Sequence, residues 1–324
     1  MFSLQFSQFQ KFFLILAGRK FLALNFFFVL LVLVFVPNQS YYQTVQASWR
    51  PSSISRSHFV VPAPALFPQK TGLESAPELT AKGIIVIDPL SSVRLYEKNA
   101  ASPLYPASTT KIMTSLVAMD NFKMDDILIV PKLIDEGQDI KLVEGEKLTA
   151  ESLLYALLVA SANDAAETLA ANFPGGREAF IAKMNEKAGK LYLKETRFVN
   201  PSGIDQEGGY VSPFDLALLT KRALQNPRFA QMVATERMII TDTEGLRVHE
   251  FSNINQLLGK VEGVRGVKTG FTESAGECLV TYVERDGKKL IIVVLGSEDR
   301  FGETKKLIDW VYSNFIWGQA LRVL

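Results

Sequence analysis

Three short motifs in this chain carry residue types that could do nucleophilic chemistry. The first is "STTK", with Ser108 and Lys111 three residues apart. On a helix that spacing stacks the two side chains on one face. A serine hydroxyl alone is a weak nucleophile. An adjacent amine can take its proton if burial or a neighbouring cation keeps that amine neutral. The plainer alternative is a helix-capping serine beside a solvated lysine, and roughly one S-x-x-K arises by chance in such a chain. The flanks weigh against it: Pro106-Ala107 breaks structure before Ser108, and "KIMTSLVAM" makes the following helix strongly apolar. The second motif is "SAND", where Ser161 and Asn163 interrupt a helix of unusual apolarity. Taken alone it reads as an ordinary helix break with Asn163 as cap.

The third motif, "KTG", is written twice. Lys268-Thr269-Gly270 follows the strand-like "GVRGV" and continues it through Phe271. Alternation sends Lys268 and Thr269 to opposite faces, so both serve one ligand only on an edge strand with the ligand running along it. Gly270 has no side chain and lets a ligand approach the backbone. Lys70-Thr71-Gly72 lies among Pro64, Pro68 and Pro77, before the first expected strand, and reads as a coincidence.

These residues need elements to hold them. "KGIIVIDPLSSVRLYEKN" reads as two strands, Gly83 to Asp88 and Val93 to Glu97, around a turn. "STTKIMTSLVAMDNF" has helical apolar spacing. "TAESLLYALLVA" starts at a Thr149 cap and is apolar nearly all round, which predicts a central buried helix. "REAFIAKMNEKAGKL" and "SPFDLALLTKRALQ" are amphipathic helices. "GVRGVKTGF", "ECLVTYVER" and "KKLIIVVLGS" are strands, the last two joined by a turn at Asp286-Gly287. "GETKKLIDWVYSNF" closes as a helix. The pattern predicts an α/β fold: an antiparallel sheet built from both chain ends, plus an inserted helical lobe over about 120–262, with a groove between the lobes as the natural site.

Composition sets further bounds. One cysteine among 324 residues rules out an intrachain disulfide, and two histidines with that cysteine cannot make a structural zinc site of the usual kind. Charges are nearly balanced, which gives no sign of a nucleic-acid partner. Lys11, Arg19 and Lys20 precede an apolar run from Phe21 to Val36. As a helix the run would rise about 24 Å, short of the roughly 30 Å hydrocarbon core. Residues 1–36 therefore read as a membrane anchor or a signal segment cleaved after Ala47, with the following chain on the outer side. Six of the fourteen prolines fall in 37–81, which reads as a Pro/Ser-rich tether. The globular domain is expected over 82–318.

Order is more specific than any motif. Ser-x-x-Lys, Ser-x-Asn and Lys-Thr-Gly, on helix, helix break and strand, resemble the serine-type D-Ala-D-Ala carboxypeptidases, the low-molecular-mass penicillin-binding proteins. The resemblance runs from about Lys82 to Phe315. It includes "ASTTKIMT", "SANDAAETLA", "TRFVNPSGID", "VKTGFTESAGECLV" and "KKLIDW". It implies the penicillin-binding/β-lactamase-like transpeptidase fold and no metal or organic cofactor. The implied substrates are peptidoglycan stem peptides ending in D-Ala-D-Ala, and β-lactams are implied as acylating inhibitors. By the resemblance Ser108 is the nucleophile, Lys111 the general base, Ser161 a proton relay and Asn163 a substrate-positioning residue. Lys268 helps keep Lys111 neutral by charge repulsion. Lys268, Thr269 and Arg300 bind the substrate carboxylate beside Gly270. The backbone N–H groups of Ser108 and Phe271 form the oxyanion hole. Many members have His where Phe271 stands, and only the backbone is needed there. Members often carry a C-terminal β-domain and anchor, whereas this chain ends at "IWGQALRVL", so any membrane anchor is expected at the N-terminus.

The rival readings differ in their needs. A D,D-endopeptidase would use the same trio. A class A β-lactamase needs a water-activating Glu, and no convincing counterpart lies between Asp164 and Val264. A Ser-His-Asp hydrolase needs a placed histidine, and His58 and His249 both read as surface or loop residues. A non-catalytic peptidoglycan-binding protein would not need the intact trio.

Overall fold

The computed structural model describes residues 66–132 and 137–318. Both the expected N-terminal anchor and most of the expected tether lie outside these residues. The chain enters through strand β1 (Phe67–Lys70), then forms the hairpin β2 (Gly83–Ile87) and β3 (Arg94–Lys98). It leaves the sheet for a helical lobe and returns as β10 (Val264–Thr272), β11 (Gly276–Arg285) and β12 (Lys288–Ser297). The five-stranded antiparallel sheet has the order β10-β11-β12-β2-β3, so both chain ends build it, as the sequence predicts. Asp286 and Gly287 both have positive φ (49° and 75°), the conformation a two-residue β11–β12 turn requires.

Alternation along the inner strands divides the core in two. Ile85, Ile87, Ile291, Val293 and Leu295 face the helical lobe. Ile84, Val86, Leu290, Ile292 and Val294 face the closing helix, here α7 (Arg300–Asn314), through Leu307, Ile308 and Val311. The sheet is thus covered on both sides, which is why these strands read as unbroken apolar runs.

The lobe is wound around α1 (Lys111–Asn121), which follows a 3-10 turn over Ala107–Thr110. Next come the short pair β4 (Ile127–Ile129) and β5 (Lys147–Thr149), then α2 (Ala150–Tyr155). Thr149 caps α2 by accepting the Ser152 N–H at 3.1 Å, as its sequence signature predicts. Leu153 to Ala160 are all buried, so the all-round apolar helix is central. Its last turn, Ala156–Ala160, widens to a π-turn before α3 (Asn163–Ala171). Helix α4 (Gly176–Lys190), the two-residue strands β6 (Thr196–Arg197) and β7 (Tyr210–Val211), and helices α5 (Pro213–Ala223) and α6 (Pro227–Val233) follow. Both α5 and α6 begin with proline after a capping Ser212 or Asn226. The hairpin β8 (Arg237–Thr241) and β9 (Val248–Ser252) leads back to the sheet.

One boundary differs from the sequence reading. The stretch read as tether contains β1, which pairs antiparallel with β13 (Phe315–Gly318), and Lys70 lies over the Trp310 ring at 5.6 Å from its centroid. The first KTG therefore begins at the end of a domain strand. A four-residue strand containing a proline has no readable periodicity, and its partner lies at the opposite end of the domain.

Candidate active site

Ser108 sits in the 3-10 turn, partly exposed between buried neighbours. Ala107 before it has φ 47°, the left-handed region that a residue with a Cβ occupies only under constraint. That constraint is visible. The Ala107 carbonyl packs against Gly203 (φ +83°), where a Cβ would stand 1.9 Å from the carbonyl oxygen. Only glycine fits there.

Lys111 opens α1 and is fully buried. Its Nζ lies 2.9 Å from Ser108 Oγ, 2.6 Å from Asn163 Oδ1 and 2.7 Å from the Ser202 carbonyl oxygen. Burial pulls its pKa down to about 7, against the opposing pull of Asp139, Glu167 and Asp164. A neutral amine has two hydrogens and one lone pair. The Asn163 and Ser202 oxygens can only accept, so they take the two hydrogens. The lone pair then faces the Ser108 hydroxyl and can remove its proton. The ammonium form donates to all three oxygens and has no lone pair.

The π-turn ends at Ser161, which is buried and adopts φ 63°, its N–H bonded to the Ala156 carbonyl. This reversal starts α3 at Asn163, which brings the Asn163 side chain onto Lys111. The "SAND" break therefore sets up the contact to the amine.

β10 is one of the two edge strands, where Lys268 and Thr269 can both serve a ligand running along it. Lys268 and Thr269 are each 2% exposed, and Phe271 is 61% exposed. Lys268 Nζ donates to the Thr269 carbonyl at 3.0 Å. Burial, with repulsion from Lys111 and Arg300, holds its pKa well below that of an ordinary lysine. Of the two causes expected to keep Lys111 neutral, burial is the one that lowers its pKa, and the repulsion between the lysines shows on Lys268. Arg300, at the start of α7, donates from Nη1 to the Gly270 carbonyl at 2.6 Å, while its backbone N–H reaches Glu277 Oε2 at 2.9 Å. Thr269 Oγ1 and Arg300 Nε are buried and have no hydrogen-bond partner among the described residues. Two polar groups left unpaired at one strand edge are suited to a ligand that accepts hydrogen bonds.

Two features escaped the sequence reading. The Ser202 carbonyl is one; it is aimed by Asn200, whose Oδ1 accepts the Gly203 N–H at 2.6 Å and whose Nδ2 donates to the Ile204 carbonyl at 2.9 Å. "NPSG" signals a turn, but not which carbonyl meets the lysine. The other is His249, expected at the surface. It lies on β9 with its side chain 10% exposed, Nε2 2.6 Å from Glu146 Oε1 and Nδ1 3.2 Å from the Ile140 carbonyl. Both ring nitrogens face these partners and not Ser108, so no Ser-His pair forms among the described residues.

The fold, with a serine hydroxyl 2.9 Å from a buried lysine amine, is that of a serine acyl-transfer enzyme. Residues 70–299 match the D-alanyl-D-alanine carboxypeptidase family, peptidase family S11. The chain is similar to the D-alanyl-D-alanine carboxypeptidase DacF of Bacillus subtilis, with 32% identity over 78% of this chain and 68% of that protein. It is also 32% identical to a D-alanyl-D-alanine endopeptidase of Pseudomonas aeruginosa, over 75% of this chain and 81% of that protein. Among solved structures, the Streptomyces K15 DD-transpeptidase superposes with a TM-score of 0.70 at 30% identity, over 74% of this chain and all of that one. The chain belongs to the D-alanyl-D-alanine carboxypeptidase family and has the penicillin-binding, β-lactamase-like fold. Family members act on peptidoglycan in the cell envelope. No helix among the described residues is long and apolar enough to cross a membrane.

Proposed function

We propose that this protein is a serine D-Ala-D-Ala carboxypeptidase that removes the terminal D-Ala from peptidoglycan stem peptides. The observation that carries this reading is the buried Lys111 amine, 2.9 Å from Ser108 Oγ with both of its hydrogens engaged elsewhere. The substrate carboxylate binds Thr269 Oγ1 and the Arg300 guanidinium, with the Lys268 amine beside them. The scissile carbonyl oxygen turns toward the N–H groups of Ser108 and Phe271. Lys111 takes the Ser108 proton as Oγ bonds to the carbonyl carbon. The C–N bond then breaks, and a proton passes through Ser161 to the leaving D-Ala nitrogen. Water attacks the ester carbonyl as Lys111 takes its proton; the C–Oγ bond breaks, Lys111 passes the proton to Ser108 Oγ, and the shortened peptide leaves as its carboxylic acid. β-Lactams acylate Ser108 by the same first step.

Residues 1–36 anchor or export the chain, and the tether from residue 37 ends before β1, so the domain works outside the cytoplasmic membrane. The decisive assay is release of D-Ala from a synthetic stem pentapeptide. The expected result is one D-Ala per shortened peptide, and a folded protein that releases none contradicts the assignment. A D,D-endopeptidase is the second reading, favoured by the endopeptidase-named relative. Faster cutting of a cross-linked dimer than of the pentapeptide would select it.

A further inference from the structure

A polar cluster behind Asn163 has no part in the chemistry above, yet it touches the residue that orients Lys111. Asn163 donates its backbone N–H to the Gln138 carbonyl at 2.7 Å. Asp164, 6% exposed, accepts the N–H groups of Ile140 (3.1 Å) and Leu142 (3.0 Å) on Oδ2 and that of Ala165 (2.9 Å) on Oδ1. Its own N–H returns to Asp139 Oδ1 at 3.0 Å. The 137–142 segment is thus held along the start of α3 by backbone bonds in both directions. From the other side His249 reaches the Ile140 carbonyl through Nδ1. A carbonyl only accepts, so Nδ1 donates, and the 2.6 Å contact of Nε2 with the Glu146 carboxylate holds a proton between them. Glu146 Oε2 also accepts the Val143 N–H at 3.0 Å. At the near end of the segment, Gly137 has φ +80°, and a Cβ there would stand 2.7 Å from Asn163 Nδ2.

We propose that Asp164, His249 and Glu146 are positioning residues for the reaction: they fix the 137–142 segment, and the segment fixes the Asn163 amide on Lys111. This rests on the reading of Lys111 as the base. Asn163 is one of the two acceptors that leave the Lys111 lone pair for Ser108. If Asn163 shifts, a hydrogen of the amine is freed and the lone pair loses its direction. Carboxylate capture rests on β10 and Arg300, so any effect on binding is limited to the substrate contact of Asn163. The cluster therefore acts on the chemical step rather than on binding.

The test uses the full chain and the pentapeptide, with kcat and KM measured per folded molecule. His249→Phe combined with Glu146→Leu removes the pair without leaving either charge buried alone. It is expected to lower kcat about tenfold or more with KM within about twofold. His249→Asn with Glu146→Leu keeps a donor for the Ile140 carbonyl and recovers most of kcat. Gly137→Ala, at an exposed position, presses on Asn163 directly and should show the same split if the double variant does not fold. A folded Phe–Leu variant with wild-type kcat overturns the proposal, as does wild-type kcat in Gly137→Ala. Equal changes in kcat for the Phe and Asn variants also overturn it. A folded wild type that releases no D-Ala overturns the functional reading itself, and this inference with it.

Discussion

A Cβ placed on Gly270 would stand 3.0 Å from the backbone nitrogen of Ser108 and 3.0 Å from Ala107 Cβ. Strand β10 and the 3-10 turn of Ser108 are thus close to the nearest approach their backbones allow. Two N–H groups, from Ser108 and Phe271, can converge on one oxygen only at such an approach. Gly270→Ala must push the strand from the turn by a few tenths of an ångström. Acylation by penicillin is expected to slow about tenfold to a hundredfold. Stability should fall by only about 1–3 kcal/mol. Stopped-flow acylation and thermal unfolding check the pair of effects; unchanged acylation contradicts the placement.

Burial lowers the Lys111 pKa to about 7, and only the neutral amine can accept the serine proton. Acylation should therefore rise with pH, about tenfold per unit below 7, and level off above it. Asp139 pulls the other way by favouring the ammonium. Asp139→Asn removes that charge, lowers the Lys111 pKa further, and should move the rising limb to lower pH. A shift to higher pH, or none, contradicts Lys111 as the base.

Arg300 donates from Nη1 to the Gly270 carbonyl and leaves Nε free of partners among the described residues. A peptide terminus is flexible and needs its carboxylate gripped, whereas the carboxylate of a penicillin is fixed on a ring fused to the reactive β-lactam. Arg300→Ala is expected to lower kcat/KM for the pentapeptide by about tenfold or more, and penicillin acylation by less. Equal losses would remove Arg300 from carboxylate recognition.

The two KTG copies give a paired control. Lys70 contacts the Trp310 face. Lys70→Ala should cost about 0.5–1 kcal/mol and leave acylation unchanged. Lys268→Ala removes a buried amine from β10 and should slow acylation by about a hundredfold or more. Parallel rate measurements on the two variants decide; similar effects would contradict the assignment of the second copy.

Much of this was legible in the sequence because it is local. Asp286-Gly287 fixes the β11–β12 turn, Thr149 caps α2, and alternation places Lys268 and Thr269 usefully only on an edge strand. The illegible parts depend on partners far away in the chain. β1 forms against β13 across the whole domain. His249 finds Glu146 and Ile140 more than a hundred residues upstream, and neither spacing nor residue type signals that pairing. The Ser202 oxygen that completes the Lys111 environment belongs to the backbone, where every residue offers the same group. Burial was one of two causes expected for a low Lys111 pKa, but its extent depends on how the lobe closes over α1, which no motif shows.

Every other proposed role depends on Ser108 being the nucleophile and on Lys111 activating it. Incubation with a fluorescent penicillin, followed by proteolysis and mass analysis, tests it most directly. The predicted result is one adduct on the peptide containing Ser108, absent in Ser108→Ala and slowed by orders of magnitude in Lys111→Ala. An unlabelled folded wild type, or a label that persists in Ser108→Ala, would contradict it.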